Sequence, residues 1–78
     1  MEEKKIMIYL WLVSQNQWYR ILVFEHTDFQ KIKTAFSGVL GKDVTGMDVF
    51  SYPDETAVYE NRPLKAAGIR EGMSFLLL

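Results

Sequence analysis

The chain has 78 residues, of which 49% are hydrophobic and 14% aromatic, enough apolar material for one packed core and too much for a disordered segment. Its 9 Lys and Arg residues are scattered among 10 Asp and Glu residues, so the net charge is -1. Nucleic-acid binding depends on clustered Lys and Arg, and we do not expect it here. The chain has no cysteine, which excludes disulfides, thiol catalysis and cysteine-based zinc sites.

The amino terminus does not resemble a targeting signal. Glu2 and Glu3 are acidic where a signal peptide needs positive charge, and no cleavage-site pattern follows them. The longest apolar run, residues 6–13, is far shorter than the roughly 20 residues of a membrane-spanning helix. We therefore predict a cytoplasmic protein without a membrane span, a complete small gene product that forms one domain over residues 1–78 with a flexible terminus at residues 1–5.

The first part of the chain predicts a β-hairpin. The runs IMIYLWLV (6–13) and WYRILVF (18–24) are rich in β-branched and aromatic residues, which favour strands. The polar stretch SQNQ (14–17) between them has the length and composition of a hairpin turn.

The segment TDFQKIKTAFSGVLG predicts a helix over residues 28–40. Thr27 and Gln30 have the spacing of a capping box, and Asp28 places negative charge where the helix dipole favours it. Gly41 stands where a left-handed residue would end the helix. Apolar residues recur at intervals of three and four and predict one buried stripe. The stripe consists of Phe29, Ile32, Phe36 and Leu40, with Val39 beside it.

The remaining elements are short. We predict a third strand over residues 47–52, a turn around Pro53, a fourth strand over 56–59 and a helical turn over 63–68. The last strand, 73–78, is almost wholly apolar, as is typical of a central strand that is buried on both faces. The predicted fold is α+β, in the order ββαββ(short helix)β, with one helix packed on one face of a mixed sheet.

This order, with L-x-x-x-G-I-x-x-G in LKAAGIREGMSFLLL (64–78), resembles the ubiquitin-like β-grasp family over residues 6–78. The resemblance places Lys33 where ubiquitin has a largely buried lysine, although a helix lysine is by itself expected to be solvated. This fold hosts modifiers, sulfur carriers, enzyme subunits and docking domains, so it does not define a function. The resemblance implies that the helix stripe packs on Tyr19, Ile21, Val23, Ile69 and Phe75.

Ubiquitin-like modifiers and sulfur carriers need a Gly-Gly tail, because only glycine lets the terminal carboxylate thread a narrow activating-enzyme channel. None of the 5 glycines in this chain is adjacent to another, and none follows the last strand. We expect Leu78 to be held in that strand. As written, the chain is therefore not expected to be a conjugated modifier.

No group of residues in the sequence points to catalysis. His26 is the single histidine, has no partner motif and is interpreted as an exposed loop residue. The adjacent carboxylates of Asp54 and Glu55 are not opposed across a cleft, and the glycines form no phosphate-binding loop. We predict a non-enzymatic protein without a cofactor or metal.

Strand alternation predicts an apolar surface on the sheet face away from the helix. If Ile6, Ile8 and Leu10 point inward, their neighbours point outward. By the resemblance, Phe50 aligns with the isoleucine at the centre of ubiquitin's binding face. Exposed apolar patches mark interaction sites, and Trp, Tyr and Arg dominate binding hot spots. The predicted protein-binding residues are Tyr9, Trp11, Trp18, Arg20, Leu22, Phe50, Leu76 and Leu78.

Three explanations of this surface remain open from the sequence. The surface binds a different protein, or it forms a homodimer. The third explanation is that the chain's own ends cover it, or that the strand phase is shifted by one residue, a shift that would exchange the two faces. The leading hypothesis is an interaction module or adaptor, similar to the YukD-type ubiquitin-like proteins of type VII secretion systems, which also lack Gly-Gly. The alternatives are a small accessory subunit of a multicomponent monooxygenase and a modifier or sulfur carrier whose Gly-Gly tail lies beyond Leu78. Nucleic-acid bases could stack on the aromatic residues, but the sequence supplies no positive groove beside them.

Overall fold

The structure is a computed structural model that describes residues 4–78. Residues 1–3 of the predicted flexible terminus lie outside the described residues, and Lys5 is already the first residue of a strand. The elements in chain order are β1 (Lys5–Leu12), a 3₁₀ turn (Val13–Gln15), β2 (Gln17–Phe24), α1 (Phe29–Leu40), β3 (Val49–Tyr52) and β4 (Ser74–Leu77).

The four strands form one mixed sheet in the order β2-β1-β4-β3. β1 pairs with β2 and β4 with β3 in antiparallel fashion, while β1 and β4 are parallel. The last strand is thus central, and its residues Phe75, Leu76 and Leu77 are all buried. The predicted α+β class is confirmed: the fold is the ubiquitin-like β-grasp, with one helix and a mixed four-stranded sheet.

The core lies between the sheet and α1. Residues alternate strictly along β1, so that Ile6, Ile8, Leu10 and Leu12 are buried and the residues between them are partly exposed. The ring of Phe29 from α1 meets that of Phe75 edge-on, with the centroids 5.0 Å apart. The strand phase predicted from the sequence is therefore confirmed, and a shift by one residue is excluded for β1.

The ends of α1 are defined by two local interactions. The side chain of Asp28 accepts a hydrogen bond from the Lys31 N–H at 2.9 Å, which makes Asp28 the N-cap. The predicted capping box at Thr27 is wrong by one position, since Asp is at least as good an N-cap as Thr and stands directly before the first helical residue. Gly41 ends the helix with φ at 68°, and its N–H donates to the Ser37 carbonyl, as predicted.

The segment after β3 is less regular than predicted. Residues 56–59 form no strand, and Ala57 makes only an isolated bridge to Phe50. Most of this segment is exposed, so it lacks the alternating buried side chains that hold a strand on a core. The predicted helical turn is present: the Ala67 N–H donates to the Pro63 carbonyl at 3.0 Å, and Gly68 closes the turn with φ at 78°.

Lys33 is buried in α1, with 5% of its surface exposed. Its ammonium group forms an ion pair with Glu60 and donates a hydrogen bond to the Met47 carbonyl at 2.7 Å. The implication of the family resemblance was therefore right for this lysine, and the general expectation of a solvated side chain was wrong. One charged group thus ties the helix to the loops on both sides of β3.

Candidate protein-binding surface

The sheet face opposite α1, which we call the outer face, is crossed by two rows of side chains. Cross-strand pairing aligns Trp18 with Trp11, Trp11 with Leu76 and Leu76 with Phe50, so that the first row spans all four strands. Side chains directly opposite each other on neighbouring strands have Cβ atoms about 5 Å apart and therefore touch. This first row is entirely apolar, apart from the two indole N–H groups.

The second row lies beside the first and also spans the sheet. It aligns Arg20 with Tyr9, Tyr9 with Ser74 and Ser74 with Tyr52. Ser74 is the smallest member of the two rows and stands on the central strand. Its size leaves room for the Tyr52 ring to lean from β3 across β4 towards the first row.

The result is a cluster of three aromatic rings that we call the aromatic cluster, formed by Trp11, Trp18 and Tyr52. The two indole rings stack with their centroids 5.3 Å apart and their planes at 24°. The Tyr52 ring meets Trp11 edge-on at 5.9 Å and Trp18 edge-on at 5.5 Å. Such geometries are favourable for aromatic rings beyond the burial of area. The cluster is therefore a rigid platform whose rings hold one another in place.

The aromatic cluster is only partly covered by the rest of the protein. Trp18 and Tyr52 are 44% and 42% exposed, while Trp11 is half-buried between them. The Nε1–H group of Trp11 is buried and has no hydrogen-bond partner within residues 4–78. A buried donor without a partner costs on the order of 1–3 kcal/mol. The centre of this surface is thus not optimised for the stability of the isolated chain.

The structure brings the predicted residues to one face but gives them unequal exposure. Leu76 is only 5% exposed, because Trp11 and Phe50 flank it on both neighbouring strands, so it supports the surface from beneath. Phe50 is half-buried, Arg20 is exposed, and Leu22 and Leu78 are exposed apolar residues near the two margins of the face. The backbone of Leu78 is held by two hydrogen bonds with Asp48, which lies just before β3.

Tyr52 was not in the predicted set, although it is one of the three members of the aromatic cluster. Alternation from Phe50 places Tyr52 on the outer face, and this signal is present in the sequence. Its contact with Trp11 and Trp18 depends on strand order, however, since Tyr52 and Trp18 lie on opposite edges of the sheet. A sequence pattern does not contain that information.

A second apolar feature lies at the free side of β2. A groove of about 330 Å³ runs between this edge strand and α1. Its apolar lining includes Ile21, Val23, Phe36 and Val39. Val39, which the sequence places beside the apolar stripe of α1, is 82% exposed and lies at the outer lip of the groove.

Residues 4–78 contain neither a metal-binding cluster nor a membrane-spanning helix. No three His, Asp or Glu side chains of this part of the chain converge as metal ligands would. None of its helices is both long enough and apolar enough to cross a bilayer.

Comparison with known proteins supports the fold at low sequence identity. No family model matches the sequence, and no curated protein matches it. Ubiquitin of Caldiarchaeum subterraneum has 13% identity and a TM-score of 0.78, over 95% of this chain and 91% of that one. The ubiquitin-like domain of tubulin-binding cofactor B has 14% identity and a TM-score of 0.75, over 97% and 90% of the two chains.

A third similar structure is the UBL domain of Plasmodium falciparum Dsk2, with 8% identity and a TM-score of 0.71, over 96% of this chain and all of that one. Identities this low show the fold alone. The protein thus has the ubiquitin-like fold, which by itself does not define a function.

Proposed function

We propose that this protein is a non-enzymatic, cytoplasmic ubiquitin-like interaction module that binds a protein partner through its outer face. The observation that carries the proposal is the aromatic cluster of Trp11, Trp18 and Tyr52, whose rings are ordered by mutual packing and yet remain substantially exposed. Soluble monomers rarely expose large apolar patches unless these serve an interaction.

The composition of the surface fits a protein partner better than a small ligand. A small-molecule site is concave and encloses its ligand, whereas the outer face of a sheet is open. Trp, Tyr and Arg are the residues most enriched in protein–protein hot spots, and Arg20 lies in the row beside the cluster. The net charge of -1 provides no electrostatic attraction for a nucleic-acid backbone.

The rigidity of the surface supports binding without a large entropic penalty. Immobilising a side chain at an interface costs about 0.5–1.5 kcal/mol, and here the rings already hold one another. The finer attribution, to an adaptor related to the YukD-type proteins of type VII secretion, is also part of this proposal. It rests on the ββαββ order of the elements.

The test is capture of partners by two matched tyrosine variants. Tyr52 is 42% exposed and belongs to the aromatic cluster, whereas Tyr59 is 63% exposed, lies after β3 and contacts Arg62 instead. Bait proteins carrying Tyr52→Ser or Tyr59→Ser are incubated with lysate of the source organism, and bound proteins are quantified by mass spectrometry. We expect Tyr52→Ser to lose the specific partner and Tyr59→Ser to retain it.

Circular dichroism and thermal unfolding of both variants show whether the fold is intact. If both folded variants capture the same proteins as the unsubstituted chain, the outer face is not the binding surface. If Tyr59→Ser alone loses the partner, the site lies in the segment after β3 and the proposal is wrong.

A further inference from the structure

The free side of β2 is an unpaired sheet edge. Among residues 4–78 no strand pairs with this side of β2. The Glu25 N–H donates to the Lys4 carbonyl at 3.0 Å, so Glu25 and Lys4 form a hydrogen-bonded pair. Hydrogen-bonded and non-hydrogen-bonded pairs alternate along antiparallel strands, so the odd-numbered residues of β2 direct their N–H and C=O groups towards β1. The open N–H and C=O groups therefore belong to Trp18, Arg20, Leu22 and Phe24.

This edge lacks the features that usually prevent strands from pairing with one another. Edge strands of monomeric proteins are typically short, bulged, or interrupted by proline or several charges. β2 is 8 residues long, contains no proline, and pairs with β1 in an unbroken register. Arg20 is its one charged residue. The backbone of β2 is thus a template for another strand.

Apolar side chains flank the edge on both faces of the sheet. On the outer face, Leu22 is 62% exposed and Phe24 is also exposed. On the helix side, the groove between β2 and α1 continues the apolar surface to Val39. A strand added to this edge would therefore bury apolar area above and below its hydrogen bonds.

We propose that the strand added here is β2 of a second copy of this chain, antiparallel about a two-fold axis at Ile21. This register pairs Trp18 with the partner's Phe24 and Arg20 with the partner's Leu22. By symmetry it gives four directly bonded pairs, each exchanging two hydrogen bonds, or about eight in all. All the open backbone groups of β2 are then satisfied in both copies.

The neighbouring registers are poorer. Shifting the axis to Arg20 opposes the two arginines, and like charges directly opposite each other destabilise a sheet. Shifting it to Leu22 places Trp18 opposite the partner's His26, which lies beyond the end of β2. The axis at Ile21 avoids both faults and places an aromatic ring pair, Trp18 with the partner's Phe24, at each end. Since the net charge is only -1, long-range repulsion between copies is weak.

The same register also fills the groove beside α1. On the helix side, Ile21 faces the partner's Ile21, and Val23 faces the partner's Tyr19. These side chains lie next to the apolar lining and cover the exposed Val39. The outer face stays open and becomes part of an eight-stranded sheet. The dimer therefore goes beyond the proposed docking function and does not depend on it.

Cysteine cross-linking tests the register directly, because the chain has no cysteine of its own. In the Ile21→Cys variant the two cysteines form a non-hydrogen-bonded pair with Cα atoms about 4.5 Å apart, within disulfide range. In the Val23→Cys control they lie four residues apart along the strands, about 13 Å, which is too far. Under mild oxidation we expect covalent dimer from Ile21→Cys and none from Val23→Cys.

A charge pair at Leu22 provides a second test by sedimentation equilibrium. Leu22→Lys places a positive charge opposite the partner's Arg20, while Leu22→Glu places a negative charge there. Both variants lose the same leucine side chain, so the difference between their dimer affinities reports on the charge pair between residue 22 and the partner's Arg20. This pair occurs twice in the dimer. We expect Leu22→Glu to dimerise about tenfold more tightly than Leu22→Lys.

Several results would overturn the dimer. One is that the unsubstituted chain stays at its monomer mass of 9.1 kDa up to millimolar concentration. The second is that the two Leu22 variants dimerise with equal affinity. The third is that Val23→Cys forms cross-links in preference to Ile21→Cys. If the chain is monomeric and Leu22→Pro, which removes an open edge N–H, abolishes partner capture while Leu22→Ala retains it, the edge binds a strand of another protein instead. The cross-linking and sedimentation measurements use no partner protein and no change at Tyr52, so their failure is distinct from failure of the proposed docking site.

Discussion

The ion pair between Lys33 and Glu60 allows a quantitative prediction about stability. The lysine side chain is 7% exposed and the glutamate side chain 22% exposed, so the two charges are buried to different depths. Glu60→Ala leaves the ammonium group buried with the Met47 carbonyl as its remaining partner. Lys33→Met instead removes the buried charge and keeps an apolar side chain of similar length in its place.

The two substitutions should therefore differ strongly in cost. Removing one partner of a buried ion pair costs about 3–5 kcal/mol. Because Glu60 is near the surface and the Met47 carbonyl remains, we expect Glu60→Ala to fall at the lower end, about 3 kcal/mol. In Lys33→Met the carboxylate of Glu60 rotates into the solvent. The loss of the hydrogen bond to the Met47 carbonyl is offset by the apolar packing of the new methionine side chain. We expect a change of less than about 1.5 kcal/mol for Lys33→Met.

Urea unfolding at neutral pH, followed by circular dichroism, measures both free energies of unfolding. In a domain of this size 1 kcal/mol corresponds to about 4–8 °C in Tm, so Glu60→Ala should melt at least about 10 °C below the unsubstituted chain. Equal losses of stability in the two variants, or a loss below about 1 kcal/mol in Glu60→Ala, would show that Glu60 does not stabilise the buried ammonium group of Lys33.

Three further predictions concern the helix ends and one exposed carboxylate. Asp28→Ala removes the N-cap and should lower the free energy of unfolding by about 1 kcal/mol in urea titrations, whereas Asp28→Ser should largely preserve it. Gly41→Ala places a Cβ at a φ of 68° and should cost about 1 kcal/mol in the same assay, although the site itself is open. The hydroxyl and N–H of Thr45 donate to the Asp43 carboxylate and lower the pKa of that group. The ionised carboxylate therefore stabilises the folded state fully above the pKa that Asp43 has in the unfolded chain, and this stabilisation is lost as the pH falls through the lowered pKa. Thr45→Ala should raise the pKa of Asp43 in an NMR titration, and an unchanged pKa would refute the role of the hydroxyl.

The parts of the fold that could be predicted from the sequence are those governed by local periodicity. The alternation in β1 and the three- to four-residue spacing of Phe29, Ile32 and Phe36 describe which side of each element faces the core. Gly41 was predictable because a positive φ is a property of the residue itself. The N-cap was misplaced by one residue, because Thr27 and Asp28 are both competent caps and only the path of the chain decides between them.

The composition of the outer face was predictable from the sequence, but the arrangement of its side chains was not. The sequence indicates which residues point away from α1, but strand order decides which of them touch. Tyr52 reaches the tryptophans because Ser74 on the central strand is small, and Leu76 is covered because Trp11 and Phe50 flank it. Burial of Lys33 likewise depends on Glu60 and Met47, which are distant in the chain.

The central claim, that a protein partner binds the outer face, has a direct spectroscopic test. The chain has 2 tryptophans, and both lie in the aromatic cluster, so their indole N–H signals in an ¹⁵N-labelled sample report on this face. We predict that a captured partner, added unlabelled to saturation, shifts or broadens both indole signals, and that the amides of the solvent-facing side of α1 are unaffected. Saturated binding with both indole signals unmoved would contradict the account.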